Sequence, residues 1–274
     1  MKIASWNINS ARLRIDQVTR FLDETAPDVL CLQETKCADA QFPKKAVRAA
    51  GYEHIALNGR TGRHAGQSGV AILSRIPLAD VSANTFCSLE DGRHIAATLP
   101  NGTRVHNFYV PAGGDEPDPE TNPKFAHKLK FLEEMAEWLP TADAGGAAQV
   151  LVGDLNIAPS ENDVWSHKQL LNVVSHTPVE VEGLGAVRRS ADYLDMAREL
   201  IPEPEPIFTW WSYRAKDWRA SNRGRRLDHI WVSPALGEAA TAKGRKGFAV
   251  HEACRSWEKP SDHAPVSLEL KGKP

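Results

Sequence analysis

Cysteine is scarce in this chain: four among 274 residues, Cys31, Cys37, Cys87 and Cys254. No two have the C-x-x-C spacing of a structural zinc site, so zinc-stapled folds are set aside. Long apolar runs are missing too. None approaches the ~20 residues needed to cross a bilayer, and no membrane partner is expected. Charge is nearly balanced, at a formal net −2. A bulk polycationic hold on nucleic acid is therefore excluded, and any such binding must rest on positive charge concentrated locally. No G-x-G-x-x-G follows the first strand-like run, which removes a Rossmann-type nucleotide binder. Internal repeats and dividing linkers are also lacking, so residues 1–274 read as a single domain. The first run starts at Lys2 and leaves no room for a signal peptide; a reducing, cytoplasmic compartment is the expectation.

What is present is a mixture of short apolar runs and amphipathic stretches. Ile3–Ile8, Val29–Leu32, Val70–Leu73, Ile95–Leu99, Val105–Val110, Val150–Val152, Leu227–Val232 and Val266–Leu270 read as strands. Some are continuous and some alternate, which suits sheets with one face deeply buried and the other partly covered. The clearest helix is Pro123–Leu139, with Phe125, Leu129, Leu132, Met135 and Leu139 at helical spacing, Pro123 in the first turn and Pro140 placed to end it. Asp16–Glu24, Ser190–Ile201 and Ser160–Leu171 are further candidates, the last opening with Ser160 and Asp163 at capping-box spacing. Gly113–Asn122 and Thr141–Ala148 read as short loops. Strands and helices are interleaved to the end, giving an α/β domain with too many strands for one simple doubly wound sheet.

Chemistry collects at the strand ends. Ile3–Ile8 carries Asn7 and leads to Asn9; Val29–Leu32 runs into Gln33, Glu34, Thr35 and Lys36; Val105–Val110 contains Tyr109; Val150–Val152 runs into Asp154 and Asn156. Asp228 opens another strand, and Ser261, Asp262 and His263 precede the last. Carboxylates and amides projecting from strand ends are oxygen donors of the kind a hard cation takes, and Mg²⁺ often uses only one or two carboxylates plus substrate phosphate. Asp154 and Asn156, two apart, face one side of an extended segment and can hold a water between them. Should Asp228 meet His263, the carboxylate would fix the imidazole tautomer and favour its cation. Each of these residues also has an ordinary reading: Asp154 and Asn156 as turn formers, Glu34 as a solvated acid, Asp228 as an ion partner of Arg226, His263 as a capping residue. Trp211 and Trp231 read as core, and one of Phe108 and Tyr109 must face inward by alternation. His54, His64 and His94 carry no functional signal.

Six segments then make a resemblance plain: Trp6-Asn7-Ile8-Asn9, Leu32-Gln33-Glu34-Thr35-Lys36, Asn107-Phe108-Tyr109-Val110-Pro111, Gly153-Asp154-Leu155-Asn156-Ile157-Ala158-Pro159, Arg226-Leu227-Asp228 and Lys259-Pro260-Ser261-Asp262-His263-Ala264-Pro265. In this order, over nearly the whole chain, they resemble the motif set of the exonuclease III family of AP endonucleases. The resemblance implies a DNase I-like four-layer α/β sandwich, two mixed sheets packed face to face with helices outside. It implies cleavage of duplex DNA 5′ to abasic sites, 3′–5′ exonuclease and 3′-phosphatase activity, Mg²⁺ (Mn²⁺ as the alternative), DNA with abasic or 3′-blocked sites as partner, and a monomer. By motif, Glu34 is the main metal ligand with Asn7, Asn9 and Asp262 close by. Asp154 and Asn156 activate the attacking water; His263, oriented by Asp228, stabilises charge on the phosphate; Tyr109 bonds a phosphate oxygen or helps the leaving group. Lys36 and Arg93 are expected on the DNA backbone.

Residues 214–226 hold six arginines and lysines against one acid, Asp217, interleaved or flanked by Trp210, Trp211, Tyr213 and Trp218. Such a loop suits phosphates, with Arg223 and Arg225 on DNA, and an aromatic lining a pocket for a flipped-out sugar; the resemblance places Trp210 and Leu227 at the apolar pocket positions. Two departures stand out. Ala112 sits where relatives carry Asn or Gln, and Arg225 sits where they often carry a large apolar residue. The acidic loop Asp115–Glu120 would repel a DNA backbone. The competing readings are a phosphoesterase of the same fold acting on a lipid, inositol phosphate or small nucleotide, and a non-catalytic nucleic-acid-associated regulator.

Overall fold

The computed structural model describes residues 1–59, 68–142 and 147–272. His64 and residues 143–146 of the expected Thr141–Ala148 loop lie outside the described residues. Two six-stranded sheets form the centre. In one, the order is β13 (Phe248–Val250), β14 (Val266–Glu269), β1 (Lys2–Asn7), β2 (Val29–Gln33), β4 (Val70–Ser74), β3 (His54–Asn58). In the other it is β5 (Ala79–Ser82), β6 (His94–Thr98), β7 (Arg104–Tyr109), β8 (Gln149–Asp154), β12 (Asp228–Val232), β9 (Leu194–Asp195). A ribbon of β10 (Trp210–Trp211) and β11 (Gly224–Arg225) stands apart. β1–β2 and β7–β8 are parallel and the other neighbours antiparallel, so both sheets are mixed, as expected.

Strand alternation builds the layers. Ile3, Val29, Cys31, Val70, Ile72, Val105, Val150, Val152, Ile230 and Val266 point between the sheets into a shared core. Their neighbours Ala4, Trp6, Leu30, Leu32 and Leu73 point outward onto Val18, Phe21 and Leu22 of helix Ile15–Thr25. On the other side Phe108, Leu151 and Trp231 meet Phe131, Leu132, Met135 and Leu139 of helix Pro123–Ala142 and Leu184 and Val187 of helix Pro178–Ser190. Strands covered on both faces read as continuous apolar runs, which is why they were conspicuous in the sequence. Polar groups also join the sheets: Gln33 Nε2 donates to Asn107 Oδ1 at 2.7 Å, and Asn107 Nδ2 donates to the Leu32 and Ala71 carbonyls.

Three helix expectations need correction. Helix Pro123–Ala142 runs past Pro140, whose missing N–H falls in the last turn; the Thr141 hydroxyl donates there to the Trp138 carbonyl at 2.7 Å. Ser160–Leu171 is a 3₁₀ turn, Glu161–Asp163, and a short helix, His167–Leu170. Asp163 does accept from the Ser160 N–H, but its carboxylate is also claimed by Arg198 and Arg226, which fixes the turn to the body instead of extending a helix. Ser190–Ile201 contains the end of helix Pro178–Ser190, the strand β9 and helix Met196–Leu200. The missed start carries a reciprocal cap, Thr177 with Glu180, followed by Pro178 at the first position.

Candidate active site at the paired sheet edges

Topology brings the polar strand ends to one rim. β1, β2, β7 and β8 finish there. β12 runs antiparallel to β8, so its first residue lies opposite the last of β8: Asp228 pairs with Asp154. Tyr109 pairs with Asp154 on the parallel side. β14 runs antiparallel to β1, so the segment before Val266 also arrives at this edge. The chain leaves the strands through left-handed residues, with positive φ at Asn9, Glu34, Lys36 and Asn156. Such backbone is costly away from glycine and gathers at functional sites. It is held here by Ser10 N–H on the Glu34 carbonyl at 2.7 Å and Lys36 N–H on the Ser68 carbonyl at 2.8 Å.

Asn7 is the hinge of the cluster. Its Nδ2 donates to Glu34 Oε1 and to Asp154 Oδ2, both at 2.8 Å, tying the two sheets' carboxylates together. Glu34 Oε1 also accepts from the Tyr109 hydroxyl at 2.9 Å, and Oε2 faces Lys36 Nζ at 2.7 Å. Asp154 Oδ1 accepts the Asn156 N–H at 3.0 Å and Oδ2 the Asn156 Nδ2 at 3.2 Å. His263 Nδ1 sits 2.8 Å from Asp228 Oδ2, while its Nε2 is 3.7 Å from Asp154 Oδ2. Asn9 reaches Asp262 Oδ1 at 3.1 Å, and Trp210 Nε1 reaches Asp262 Oδ2 at 2.9 Å.

Electrostatics follow from burial and pairing. Burial alone would lower the His263 pKa, but Asp228 and then Asp154 overcome it and raise it to about 10, so the imidazole is a cation at neutral pH. Burial pushes the Asp154 carboxyl up, to about 7, with Asp228 and Glu34 adding to the rise and His263 and the Asn7 bond opposing it. Burial, then Glu34, drives the Tyr109 phenol well above its ordinary value, so it stays protonated and able to donate.

A match to the Endonuclease/Exonuclease/phosphatase family extends over residues 4–263. The chain belongs to this family. The exodeoxyribonuclease III of Haemophilus influenzae is 34% identical across 99% of this chain and 100% of its own length. The DNA repair nuclease APEX1 of Danio rerio is 30% identical across 98% of this chain and 82% of its own. Among solved structures, a 3′ phosphatase, NExo, from Neisseria bound to product DNA hairpin superposes with TM-score 0.88 at 32% identity, covering 99% of this chain and 100% of its own. An AP endonuclease from Archaeoglobus fulgidus gives 0.89 at 32% identity, with the same coverage.

The four-layer sandwich of this family therefore frames the cluster, and its carboxylate and amide oxygens are donors of the kind a hard cation takes. Asp154, Asp228 and His263 also offer ligand atoms within 4.8 Å of one another. In that trio His263 Nδ1 is already engaged with Asp228. Glu34 and Asp262 are the carboxylates of the cluster that line the open cleft. The Asn7 and Asn9 amides donate to these two carboxylates from Nδ2, and their oxygens are engaged as acceptors: Asn7 Oδ1 takes the Asn9 N–H at 3.0 Å, and Asn9 Oδ1 takes Lys36 Nζ at 2.6 Å.

The cleft encloses about 580 Å³ and is walled by Trp165, Trp210, Leu227 and Asn156, with Arg214, Arg223 and Arg225 from the basic segment and Asp115 from the acidic loop. Ala112 contributes only a methyl group there. Arg223 lies over Trp165 at 4.7 Å and Arg225 over Trp210 at 5.3 Å. Arg93 is turned to its own sheet, paired with Asp91, bonded to the Tyr109 carbonyl at 3.2 Å and over the Tyr109 ring at 4.8 Å. Trp211 and Trp231 are core, as expected. Arg226 is withdrawn from the basic face, fully buried with two hydrogen bonds each to Asp163 and Asp195, and Asp228 is thus left to His263.

Sequence reasoning missed two supports. Thr209 donates to Asp228 Oδ2 at 2.6 Å while accepting the Leu227 and Asp228 N–H groups, which aims that carboxylate. Lys128, buried within helix Pro123–Ala142, donates to the Asn156 carbonyl at 2.8 Å and pairs with buried Glu180 at 2.5 Å. Lys128 followed a polar-face pattern and gave no sign of burial; Thr209 lies just before the Trp210-Trp211 pair, which drew attention away from it.

Proposed function

We propose that this protein is a metal-dependent DNA phosphoesterase that incises duplex DNA 5′ to abasic sites and processes 3′ ends as an exonuclease and phosphatase. The observation that carries this reading is the single contact chain from Glu34 through Asn7 to Asp154, with a cationic His263 3.7 Å beyond. It joins an oxygen ligand, a proton acceptor and a phosphate-binding cation beside one cleft. Named DNA-processing relatives at 30–34% identity support the substrate class.

In this proposal Asp154 accepts a proton from the attacking water, with Asn156 orienting that water. A carboxyl poised near neutrality is matched to that task. His263 donates from Nε2 to a non-bridging phosphate oxygen, and Asp228 with Thr209 holds the ring in place. Tyr109, kept as a phenol, donates to a phosphate oxygen or to the departing 3′ oxygen. Glu34, with Asn7, Asn9 and Asp262 around it, would hold magnesium or manganese. The ion would supply Lewis-acid stabilisation of charge on phosphorus-bound oxygen. Lys36, Arg223 and Arg225 contribute positive charge toward the DNA backbone, Arg93, paired with Asp91, braces Tyr109, and Trp210 and Leu227 wall the sugar pocket. The chain acts as one domain, since the site draws on residues 7 to 263. Four free thiols support a reducing, cytoplasmic setting, and the reading takes the protein as a monomer.

The test is incubation with duplex DNA carrying one abasic analogue, in magnesium and then in chelator. We expect a nick leaving a 3′-hydroxyl and a 5′ sugar phosphate, and its loss on chelation with recovery when magnesium returns. Cleavage that persists undiminished in chelator would refute the metal-dependent reading.

A further inference from the structure

One wall of the cleft carries a fixed guanidinium where an uncharged sugar would gain little from it. Arg225 pairs with Trp210 across the β10–β11 ribbon, and Trp210 is bridged on its other side to His263. Two interstrand steps thus separate Arg225 from His263, about 10 Å of backbone at the spacing of adjacent strands. That lies within the combined reach of an arginine and an imidazole holding one phosphate between them. The side chain does not wander: Nη1 donates to the Val174 carbonyl at 2.9 Å and to Ser175 Oγ at 2.7 Å. The Trp210 ring covers the guanidinium, and Nε is buried without a partner among the described residues. Ser175 is itself held through its N–H by Glu180, the carboxylate paired with Lys128, so the mount extends into the buried interior. No carboxylate forms an ion pair with Arg225 among the described residues; Glu180, the carboxylate that acts on it electrostatically, is already paired with Lys128.

The two substrates of the proposed activity differ at the place such a cation would sense. In both reactions water forms the new bond to phosphorus, the P–O3′ bond breaks and the 3′ oxygen takes up a proton. In an internal abasic diester another oxygen on phosphorus is esterified to the deoxyribose, which must occupy the pocket. In a 3′-terminal phosphate that oxygen is free and carries further negative charge, with a second pKa of about 6. Building on the DNA-phosphoesterase reading, we infer that Arg225 is a specificity-determining residue that biases the site toward 3′-terminal phosphate monoesters over internal abasic diesters. A guanidinium favours an anionic oxygen by a charge-assisted hydrogen bond and gains far less from a neutral sugar.

The experiment compares kcat/KM for a 3′-phosphate hairpin and for a duplex with one internal abasic analogue, in one magnesium buffer, for the wild type, Arg225→Leu and Arg225→Gln. Glutamine keeps a donor for the Val174 carbonyl and guards against a fold defect in the leucine variant. The ratio of monoester to diester efficiency should drop by about 10- to 100-fold in both variants, the loss expected for one charge-assisted bond. Parallel losses on both substrates, or a ratio unmoved within twofold, would overturn the inference and leave the broader activity standing. A wild type that hydrolyses neither substrate would instead remove the activity on which it rests.

Discussion

At the residue scale, the site is a set of carboxyl groups given different tasks by their neighbours. Asp154 is buried between donors from Asn7 and Asn156, and its proton affinity is raised by burial; Asp228 is spent on a histidine; Glu34 faces the cleft. Environments that push neighbouring groups apart in pKa mark acid–base assignments. Asp154→Asn keeps the shape and the acceptor oxygen but removes the base. Turnover should fall by about 10²- to 10⁴-fold, with DNA affinity unchanged within a few-fold in a filter-binding assay. Near-normal turnover in that variant would assign proton removal elsewhere. The identities of these residues were legible from motif order alone. Their pairings were not, because Asn7 bridging two carboxylates depends on two sheets meeting, which no local pattern encodes.

Secondary elements matter through what their ends are tied to. Arg226 sits one residue before Leu227 in the pocket and two before Asp228, and its guanidinium binds Asp163 of the Glu161–Asp163 turn and Asp195 of β9. This buried network locks three distant segments beneath the pocket. Replacing one member strands the others: Asp163→Asn or Arg226→Met should each cost about 3–5 kcal/mol in urea unfolding. A cost under 1 kcal/mol would mean that the network is relaxed in solution. In the sequence Arg226 looked like part of a basic DNA-facing loop, since charge runs usually mark solvated faces. The same limit explains helix Pro178–Ser190. Gly183 and Gly185 weaken its helical signal, yet a Cβ at Gly183 would meet Leu132 at 3.1 Å, so a glycine serves close packing against helix Pro123–Ala142. The edge strands β3, β5, β9 and β13 were overlooked for a related reason: they are short or exposed, and their extended form comes from a neighbour's ladder.

Across the whole molecule, net charge near zero hides two opposed features. A cluster of cations borders the cleft, and several histidines are buried neutral. If Arg214 and Arg223 meet phosphates, replacing both with glutamine should reduce the slope of log affinity against log salt by about 1.8. An unaltered slope would take them off the DNA. His229 donates from Nε2 to the Ile157 carbonyl while Nδ1 faces Arg226 Nη1 at 3.2 Å, so protonation would set a cation against a guanidinium. Burial, then Arg226, lowers its pKa to about 4, and burial, then Arg104, lowers that of His106 to about 3. Unfolded histidine titrates near 6.5. Between those limits the unfolded chain binds more protons, so this contribution to stability is complete above pH ~6.5 and declines as pH falls toward 3–4. Urea midpoints should therefore drop steadily from pH 7 to pH 5, before most carboxylates titrate; a flat profile over that range would contradict neutral burial of both rings.

The chain's own order of residues determined the family, the strand set of the sheet centres and the list of groups that could do chemistry, because alternation and motif order are local properties that survive without coordinates. Tertiary structure alone decided how those groups are used. Antiparallel return of β12 and β14 to the rim where β1, β2, β7 and β8 end is what sets Asp228 opposite Asp154 and His263 beside both. Burial then decided which charges act on substrate and which, like Arg226, hold the frame, since removing an ion from water is tolerable only where a partner waits.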